Sequence, residues 1–461
     1  MLDFLKGMLS EFSGMDYGEL RFHERISNII AIRKGELESI ASNNYSGVGV
    51  RTLFQGGWGF SSTSRSDISE IKQAIFDACA SAKVSSQGKK NKAVKIEKAN
   101  LATGKFQPVI NDALTNHSFE EKLELVKKTE EKLRNASSII QSSSVVYREI
   151  LDKKYIVTTD GAFCEIIDSK PEFRVFAFAS NGKDYVESME AVGITGGWVD
   201  LFGSKKPDDF IDIVVQRAEA LLKAEYAKGE RATVILDPSL VGLISHEAIG
   251  HTVEADFVLS GAITQGKLGT KVASELITMF DSGSEGIAGG TLLVDDEGVL
   301  TKKTIIIDKG ILKSYLHNRE SAAEFGVEPT GNARAFEYSD EPIIRMRNTG
   351  IERGNLSLDE MITGVKEGYL LKRAKGGQAD ANAEFMFAAQ EAYRITDGKI
   401  GALLRGVSIS GQAFEVLQSV DAVSKDFKWD MGAGYCGKWQ YAKVDGGGPY
   451  IRCKAIIGGR Q

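Results

Sequence analysis

Residues 244–256, ISHEAIGHTVEAD, contain two of the chain's five histidines, and a glutamate directly follows the first. In the zinc motif HExxH, two imidazoles four residues apart share one helix face, and the glutamate is a general base for water activation. Here His246 and His251 are five residues apart, which separates them by about 140° around a regular α-helix, against about 40° for a spacing of four. A regular helix therefore could not bring both imidazoles to one metal ion.

A π-helical distortion would resolve this spacing. A π-bulge absorbs one extra residue and returns both histidines to a common face, and such bulges are frequent at functional sites. Gly250, directly before His251, favours local distortion of the backbone. In this composition a His-acid-x-x-x-His pattern is expected by chance on the order of 0.007 times per chain. The sequence therefore predicts a metal site on a π-bulge; the alternative is two ordinary helix histidines with Glu247 solvated.

A catalytic zinc ion needs a third protein ligand, because such sites usually have three and leave the fourth position to water or substrate. Glu254, three residues beyond His251, is one candidate, with a surface or supporting glutamate as the alternative. Cys436 is another, because its glycine-rich segment DMGAGYCGKWQ indicates a turn free of strand constraints, whereas Cys453 lies in the alternating strand pattern YIRCKAII. The residues alone leave Cys436 equally consistent with a small buried side chain.

The composition indicates an ordinary folded chain with several domains. Its 461 residues exceed one typical core, and 42% hydrophobic with 26% charged residues is typical of globular proteins. A net charge of -6 argues against a nucleic-acid partner. The sequence has no apolar run near the ~20 residues that cross a membrane and no signal-peptide pattern, so the expected location is the cytoplasm. The four scattered cysteines, with Cys79 and Cys164 in helix and strand patterns, do not indicate disulfides.

The order of the predicted elements indicates an α+β fold with several domains. Residues 1–95 are predicted as a sheet-plus-helix unit, and residues 84–106, polar and rich in lysine, as a linker or exposed connection. Residues 106–227 are predicted to form a middle α+β unit. Residues 228–461 are predicted to form a mainly antiparallel β domain that carries the metal-binding helix.

Several segments together resemble the TldD/PmbA family of prokaryotic metallopeptidases over nearly the whole chain. These segments are GVGVRTLFQGGWGFSST, HEAIGHTVEADF, VDDEG, TGNARAFEYSDEPIIRMRNT, YCGK and IIGG. The resemblance implies that His246, His251 and Cys436 bind Zn²⁺. The intact histidine motif is similar to that of the TldD branch, since PmbA-like (TldE) relatives lack it and pair with TldD partners.

The resemblance also implies substrates and partners. Family members degrade unfolded peptides and process peptide precursors, including microcins, to their mature forms. In one proposed binding mode the substrate pairs as an additional β-strand with a sheet near the metal. A homodimer or a heterodimer with a PmbA/TldE-like paralogue is expected. The chain departs from the family at His317, where an acidic residue is usual. We do not assign His317 to the metal and expect a surface position or a supporting one.

The mechanism expected from these residues is zinc-assisted peptide hydrolysis, in which Glu247 takes the proton of the attacking water and delivers it to the leaving amine. Arg334, Arg345 and Arg347 either orient a substrate carboxylate or oxyanion, or form structural ion pairs. The segment QGGWGFSST lacks the GxxxxGK[ST] pattern of a phosphate loop, so a nucleotide role is not indicated. Two alternatives remain: a noncatalytic zinc-containing binding or scaffold subunit, and a zinc hydrolase of small amides.

Overall fold

A computed structural model of the protein describes residues 1–88, 94–432 and 434–459. Ten α-helices and 25 strands in five sheets form the described part of the chain. The predicted α+β class with several domains is confirmed.

The helices of the described chain are mostly short. They are α1 (Leu2–Met8), α2 (Ile68–Gln87), α3 (Phe119–Asn135), α4 (Trp198–Leu201), α5 (Pro207–Lys223), α6 (Pro238–Leu243), α7 (Ala255–Leu259), α8 (Arg319–Phe325), α9 (Leu358–Thr363) and α10 (Ala413–Gln418). A π-helical segment (Ile244–Gly250) and 3₁₀ turns at Leu9–Phe12, Leu114–Asn116 and His251–Val253 complete the helical structure.

The longest strands lie in the first half of the chain, and the strands of the second half are mostly short. They are β1 (Tyr17–Arg33), β2 (Glu36–Phe54), β3 (Gly57–Thr63), β4 (Thr103–Phe106), β5 (Ile140–Thr158), β6 (Phe163–Ser180), β7 (Tyr185–Gly193), β8 (Glu225–Tyr226), β9 (Glu230–Leu236), β10 (Met279–Ser282), β11 (Thr304–Asp308), β12 (Ile311–Leu312), β13 (Ala333–Arg334), β14 (Ile343–Ile344), β15 (Asn348–Ile351), β16 (Glu367–Ala379), β17 (Glu384–Thr396), β18 (Lys399–Arg405), β19 (Val407–Gln412), β20 (Ala422–Val423), β21 (Lys428–Trp429), β22 (Tyr435–Lys438), β23 (Gln440–Lys443), β24 (Asp445–Gly448) and β25 (Ile451–Gly458).

The first sheet joins the N-terminal and middle units. Its order is β3-β2-β1-β5-β6-β4, with β7 also paired to β6. Strand β1 pairs with β5 in antiparallel register from Glu19 opposite Thr158 to Arg33 opposite Ser144. The two predicted units therefore share one continuous sheet, and their boundaries at residues 95 and 106, like that at 227, stay a prediction.

The predicted linker at residues 84–106 is wrong at both ends. Helix α2 continues to Gln87, and residues 103–106 form β4 at the sheet edge; residues 89–93 lie outside the described residues. The helix extends because it lies directly on β3: a Cβ on Gly57 would sit 2.3 Å from the backbone nitrogen of Ser86, and one on Gly59 would sit 2.0 Å from Ala78 O. Tertiary packing therefore stabilises a polar helix end that composition alone marks as a loop.

Two larger sheets build the C-terminal part. One has eight strands in the order β16-β9-β25-β19-β17-β18-β8, with β20 also paired to β25, and the other has six in the order β12-β11-β10-β15-β24-β21. Most neighbours are antiparallel, as predicted, although β9 pairs with β16 in parallel. Helix α6 and the π-helical segment contact strands of both sheets, with Ile244, Ala248 and Ile249 fully buried. The metal-binding segment is therefore held inside the main C-terminal core.

In the part of the chain that the structure describes, no helix is long and apolar enough to cross a membrane. The expected cytoplasmic location stays a prediction.

Candidate metal centre

The histidine segment begins with a capped helix and then changes its hydrogen-bonding pattern. Strand β9 leads into Asp237, whose side chain accepts a hydrogen bond from Leu240 N at 3.1 Å, with Pro238 in the first turn of α6. The next seven residues, Ile244–Gly250, form a π-helix. The predicted π distortion is confirmed, and it extends beyond a single bulge. Its wider turn brings the rings of His246 and His251 to a centroid separation of 5.4 Å.

Gly250 serves this segment in a different way from the one expected. Its φ of -55° is an ordinary helical value that any residue adopts, so conformational freedom is not what the position requires. A Cβ at Gly250 would instead lie 2.0 Å from the sulfur of Met346 and 3.0 Å from Ser245 O. The missing side chain therefore allows the buried Met346 to pack directly against the π-helix.

Cys436 lies on a strand, and the expectation of an unconstrained turn is wrong. It belongs to β22, which pairs with β23 so that Cys436 faces Ala442 across the hairpin. The glycine-rich composition predicted a turn at Cys436, but the turn of the hairpin lies at Trp439, whose φ is +58°. Arg345 donates hydrogen bonds to the carbonyls of Cys436 and Gln440, both at 2.7 Å, and so holds the two strands. The thiol is presented by a clamped hairpin.

The structure brings the three predicted ligands together. The nearest nitrogen atoms of His246 and His251 and the sulfur of Cys436 all lie within 4.8 Å of one another, with 3.1 Å between Cys436 Sγ and His251 Nε2. Tetrahedral zinc with bonds of about 2.0–2.3 Å separates its ligand atoms by about 3.5 Å. Both ring nitrogens of His246 are buried without a hydrogen-bond partner in the described structure, so at least one of them is available to bind a metal ion. The donor set fits Zn²⁺.

The same three groups shift one another's pKa values. Burial alone would raise the pKa of the Cys436 thiol, but the imidazoles of His246 and His251 outweigh it and lower that pKa to about 5. Burial would lower the pKa of His251, yet hydrogen bonds to Cys436 and Glu254 raise it to about 10. The pKa of His246 is also raised against its burial, chiefly by the charge of Cys436. The cluster therefore favours a thiolate, which is the form that binds a metal.

A buried ion network behind His251 fixes the orientation of its ring. Glu254 is fully buried, and its Oε2 lies 3.1 Å from His251 Nδ1. Lys438 Nζ donates to Glu254 Oε2 at 3.0 Å, to both carboxylate oxygens of Asp256 and to Ile344 O. The structure therefore favours a supporting role for Glu254 over the role of metal ligand. The Glu254 carboxylate contacts Nδ1 of His251, and Nε2 of the same ring faces Cys436.

Glu247 lies on the open side of the centre. Its carboxylate is 3.8 Å from His251 Nε2, and its side chain is 28% exposed. Glu247 and His251 line a cleft that also reaches Lys438 and Trp439. A carboxylate with this combination of exposure and proximity can contact both the centre and a molecule entering from solvent.

The three arginines are not part of the lining of this cleft, so of the two alternatives left by the sequence the structure does not support contact with substrate. Arg334 donates to Met346 O at 2.6 Å and to Lys443 O at 2.8 Å. Arg347 donates to Asp281 at 2.7 Å and is fully buried, and Arg345 holds the hairpin as described. All three guanidinium groups bind structural acceptors, mostly backbone carbonyls, which is the alternative that the sequence left open.

His317 is buried, so the expected surface position is wrong. It is 3% exposed, packs against the rings of Tyr315 and Phe325, and places Nδ1 3.1 Å from Ser321 Oγ. Burial lowers the pKa of His317 to about 4. The described contacts of His317 do not include any of the three candidate ligands.

Sequence reasoning missed Lys438, Asp256, Phe257 and Trp439. The sequence alone predicts a solvated side chain for a lysine next to a candidate ligand. The burial of Lys438 beside two carboxylates depends on long-range packing between residues 254–256 and the distant hairpin. The sequence did contain one indication of these residues, which is their position. Lys438 and Trp439 lie two and three residues after Cys436, and Asp256 and Phe257 lie five and six residues after His251.

The sequence matches domain families along most of its length. Residues 18–82, 112–222 and 229–458 match, in order, PmbA/TldA metallopeptidase domain 1, the central domain and the C-terminal domain. The protein is thus a member of the PmbA/TldD family of metallopeptidases, as the resemblance indicated.

Individual relatives agree over nearly the whole chain. A metalloprotease of Methanocaldococcus jannaschii is 37% identical, with 96% of this chain and 97% of the relative covered. A zinc metalloprotease TldD homolog of Saccharolobus solfataricus is 31% identical, with 98% of both chains covered. These names indicate a peptidase family with a metal requirement.

Solved structures share the fold at lower identity. One is a Thermotoga maritima protein described as a candidate modulator of a DNA gyrase. It superposes with a TM-score of 0.79 at 19% identity, and the match covers 99% of both chains. TldE from Thermococcus kodakarensis superposes with a TM-score of 0.76 at 18% identity, covering 99% of this chain and all of that one. At these identities the likeness establishes the fold alone.

Proposed function

We propose that this protein is a zinc-dependent peptidase that hydrolyses unfolded or extended peptides and matures peptide precursors. One observation carries the proposal: His246, His251 and Cys436 offer three ligand atoms within 4.8 Å of one another, directly beside Glu247 on an open cleft. Three ligands with an open side are typical of catalytic zinc, whereas structural zinc is usually enclosed by four.

The chain's own residues have distinct tasks in this mechanism. Zinc, when bound, supplies Lewis-acid chemistry that polarises a peptide carbonyl and makes water a better nucleophile. Glu247 accepts the proton of the attacking water and returns it to the leaving amine nitrogen. Glu254 holds His251 Nδ1 so that Nε2 faces the metal position, and Arg345 holds the hairpin that presents Cys436.

The shape of the cleft and the shared fold suggest a substrate and a partner. The cleft is open to solvent on one side, which suits an extended chain better than a small amide, and therefore favours a peptide over the small-amide alternative. Because a TldE shares this fold, we propose assembly either as a homodimer or with a PmbA/TldE-like paralogue. Size-exclusion chromatography with light scattering on the chain alone and with its paralogue distinguishes the two assemblies.

The test is hydrolysis of an unfolded polypeptide by the wild type before zinc removal, after chelation and after zinc is added back. We expect about one zinc per chain, loss of cleavage on chelation and recovery on re-addition. Cys436→Ser should lose most of the zinc and the cleavage together. Cys453→Ala, which changes another buried cysteine, on β25, should keep both.

Two results would overturn the proposal. Stoichiometric zinc without any cleavage, even with the paralogue present, would leave the noncatalytic binding or scaffold role. Cleavage that persists after complete zinc removal would place the activity elsewhere in the chain.

A further inference from the structure

The cleft beside the candidate metal centre is lined by both small and aromatic side chains. It has a volume of about 470 Å³ and begins at Glu247 and His251. Its lining combines small residues, including Gly261, Ala262 and Ala379, with the aromatic rings of Phe257 and Trp439. Such a space is large enough for one or two side chains of a bound peptide.

Trp439 combines an exposed side chain with a strained backbone conformation. Its side chain is 85% exposed, although burying a large aromatic ring is normally favourable. Its φ of +58° lies in the left-handed region, which is uncommon for residues with a side chain. Backbone strain of this kind concentrates at functional sites, and tryptophan is enriched among residues that dominate binding. The exposed indole is therefore suited to bind another molecule.

The aromatic rings connect Trp439 to the metal centre. The ring centroids of His251 and Phe257 are 6.2 Å apart, and those of Phe257 and Trp439 are also 6.2 Å apart. Trp439 follows Cys436 by three residues on the same hairpin. A peptide bond placed beside Glu247 would therefore have its neighbouring side chain within reach of the indole.

The charges of the cleft select against acidic side chains. Lys438 lines the cleft, but its ammonium group is buried and pairs with Glu254 and Asp256. The remaining ionisable side chains of the lining, apart from His251, are Glu247 and Asp380, which are both acidic. An acidic substrate side chain would meet like charge there.

We propose that Phe257 and Trp439 form a specificity pocket that binds a large apolar side chain of the peptide, adjacent to the bond that is cleaved. The inference rests on the proposed peptidase function for the identity of the ligand. The exposed ring of Trp439 and the ring of Phe257 supply the apolar contacts, and the small residues of the same lining leave space for the side chain.

Equilibrium binding tests this pocket without turnover. Fluorescein-labelled nonapeptides of serine and alanine carry Phe, Leu, Ala or Asp at the central position, and fluorescence anisotropy measures their affinity for zinc-loaded and zinc-free Glu247→Gln protein. We expect the Phe and Leu peptides to bind at least about tenfold more tightly than the Ala peptide, and the Asp peptide to bind most weakly. The ratio of Phe to Ala affinities is the quantity compared among variants.

The variants are made in the same Glu247→Gln background. Trp439→Ala should bring the Phe-to-Ala ratio close to one, and Trp439→Phe should restore most of it. Tyr441→Ala is the matched control: it removes another exposed ring, 62% exposed, from the same hairpin outside the cleft lining, and should keep the ratio.

The outcomes separate this inference from the proposed function. A ratio near one before any change at Trp439, or a ratio that Trp439→Ala leaves intact, overturns the pocket even if the wild type cleaves peptides. An equal loss for all peptides together with a changed oligomeric state assigns the indole to contact with a second copy, and also overturns it. If the ratio behaves as expected while the wild type cleaves nothing, the pocket stands and the peptidase proposal fails.

Discussion

At the scale of single residues, His251 uses its two ring nitrogens differently. Nε2 faces Cys436, and Nδ1 contacts Glu254, whose carboxylate is in turn held by Lys438. Burial alone would raise the pKa of Glu254, but the hydrogen bond with His251 and the charge of Lys438 lower it. A charged carboxylate fixes the tautomer and direction of the imidazole, which is how outer residues tune a metal site.

Replacing Lys438 tests this network. Lys438→Met leaves the buried carboxylate of Glu254 without its cation, so we expect zinc affinity to fall about 10–100-fold and stability to fall by about 3 kcal/mol. Competition with a zinc chelator measures the affinity, and urea unfolding measures the stability. Lys438→Arg, which keeps the charge, should retain more of both. An unchanged zinc affinity in Lys438→Met would show that the network does not support the site.

His317 predicts a pH dependence of stability. Its folded pKa of about 4 lies below the ordinary value of 6.5, so the stabilisation is complete above pH 6.5 and is lost as the pH falls toward 4. Between pH 7 and pH 5 this amounts to about 2 kcal/mol. Urea unfolding of zinc-free protein at both pH values should show a smaller loss in His317→Gln than in the wild type. Equal losses of unfolding free energy in the two proteins would contradict this, because they would mean that His317 has the same pKa in the folded and the unfolded chain.

At the scale of elements, the π-helical segment depends on close packing at Gly250. Gly250→Ala would place a methyl group 2.0 Å from the Met346 sulfur, so we expect a loss of about 1–3 kcal/mol and reduced zinc content. Thermal unfolding and metal analysis measure the two effects. Gly7→Ala is the control, because a Cβ there meets nothing within 4 Å in α1. Unchanged zinc content in Gly250→Ala would show that the segment tolerates a shift of Met346.

The sequence predicted the elements whose cause is local and missed those that depend on distant packing. The five-residue spacing of His246 and His251 required a π distortion, and the structure has one. The strand that carries Cys436 depends on its pairing with residues 440–443 and on Arg345, neither of which the glycine-rich composition reveals. The burial of Lys438 is likewise a long-range effect, so the sequence analysis did not identify this charged residue two positions after the candidate ligand Cys436.

At the scale of the whole molecule, the N-terminal and middle units are joined by the pairing of β1 with β5. Because this pairing removes an exposed edge from both units, we expect residues 1–223 to unfold as one cooperative unit. Native-state hydrogen exchange should give β1 and β5 similar opening free energies, and a fragment that begins at residue 106 should expose β5 and aggregate. A monomeric, cooperatively folded fragment 106–227 would contradict this.

The family membership and the site agree at the level of the whole chain. Three metallopeptidase domain matches cover most of the sequence, and the candidate centre combines a segment near residue 250 with a hairpin near residue 440. The C-terminal sheets bring these distant segments together. We propose that the resulting centre hydrolyses peptide bonds with Glu247 as the base.

The most direct test is the hydrolysis rate of an unfolded polypeptide by Glu247→Gln protein that contains the same amount of zinc as the wild type. The substitution keeps the size of the side chain and removes its ability to accept a proton, so kcat should fall by about 100-fold or more while zinc content is unchanged. A Glu247→Gln protein that cleaves at the wild-type rate would contradict the role of Glu247 as the base.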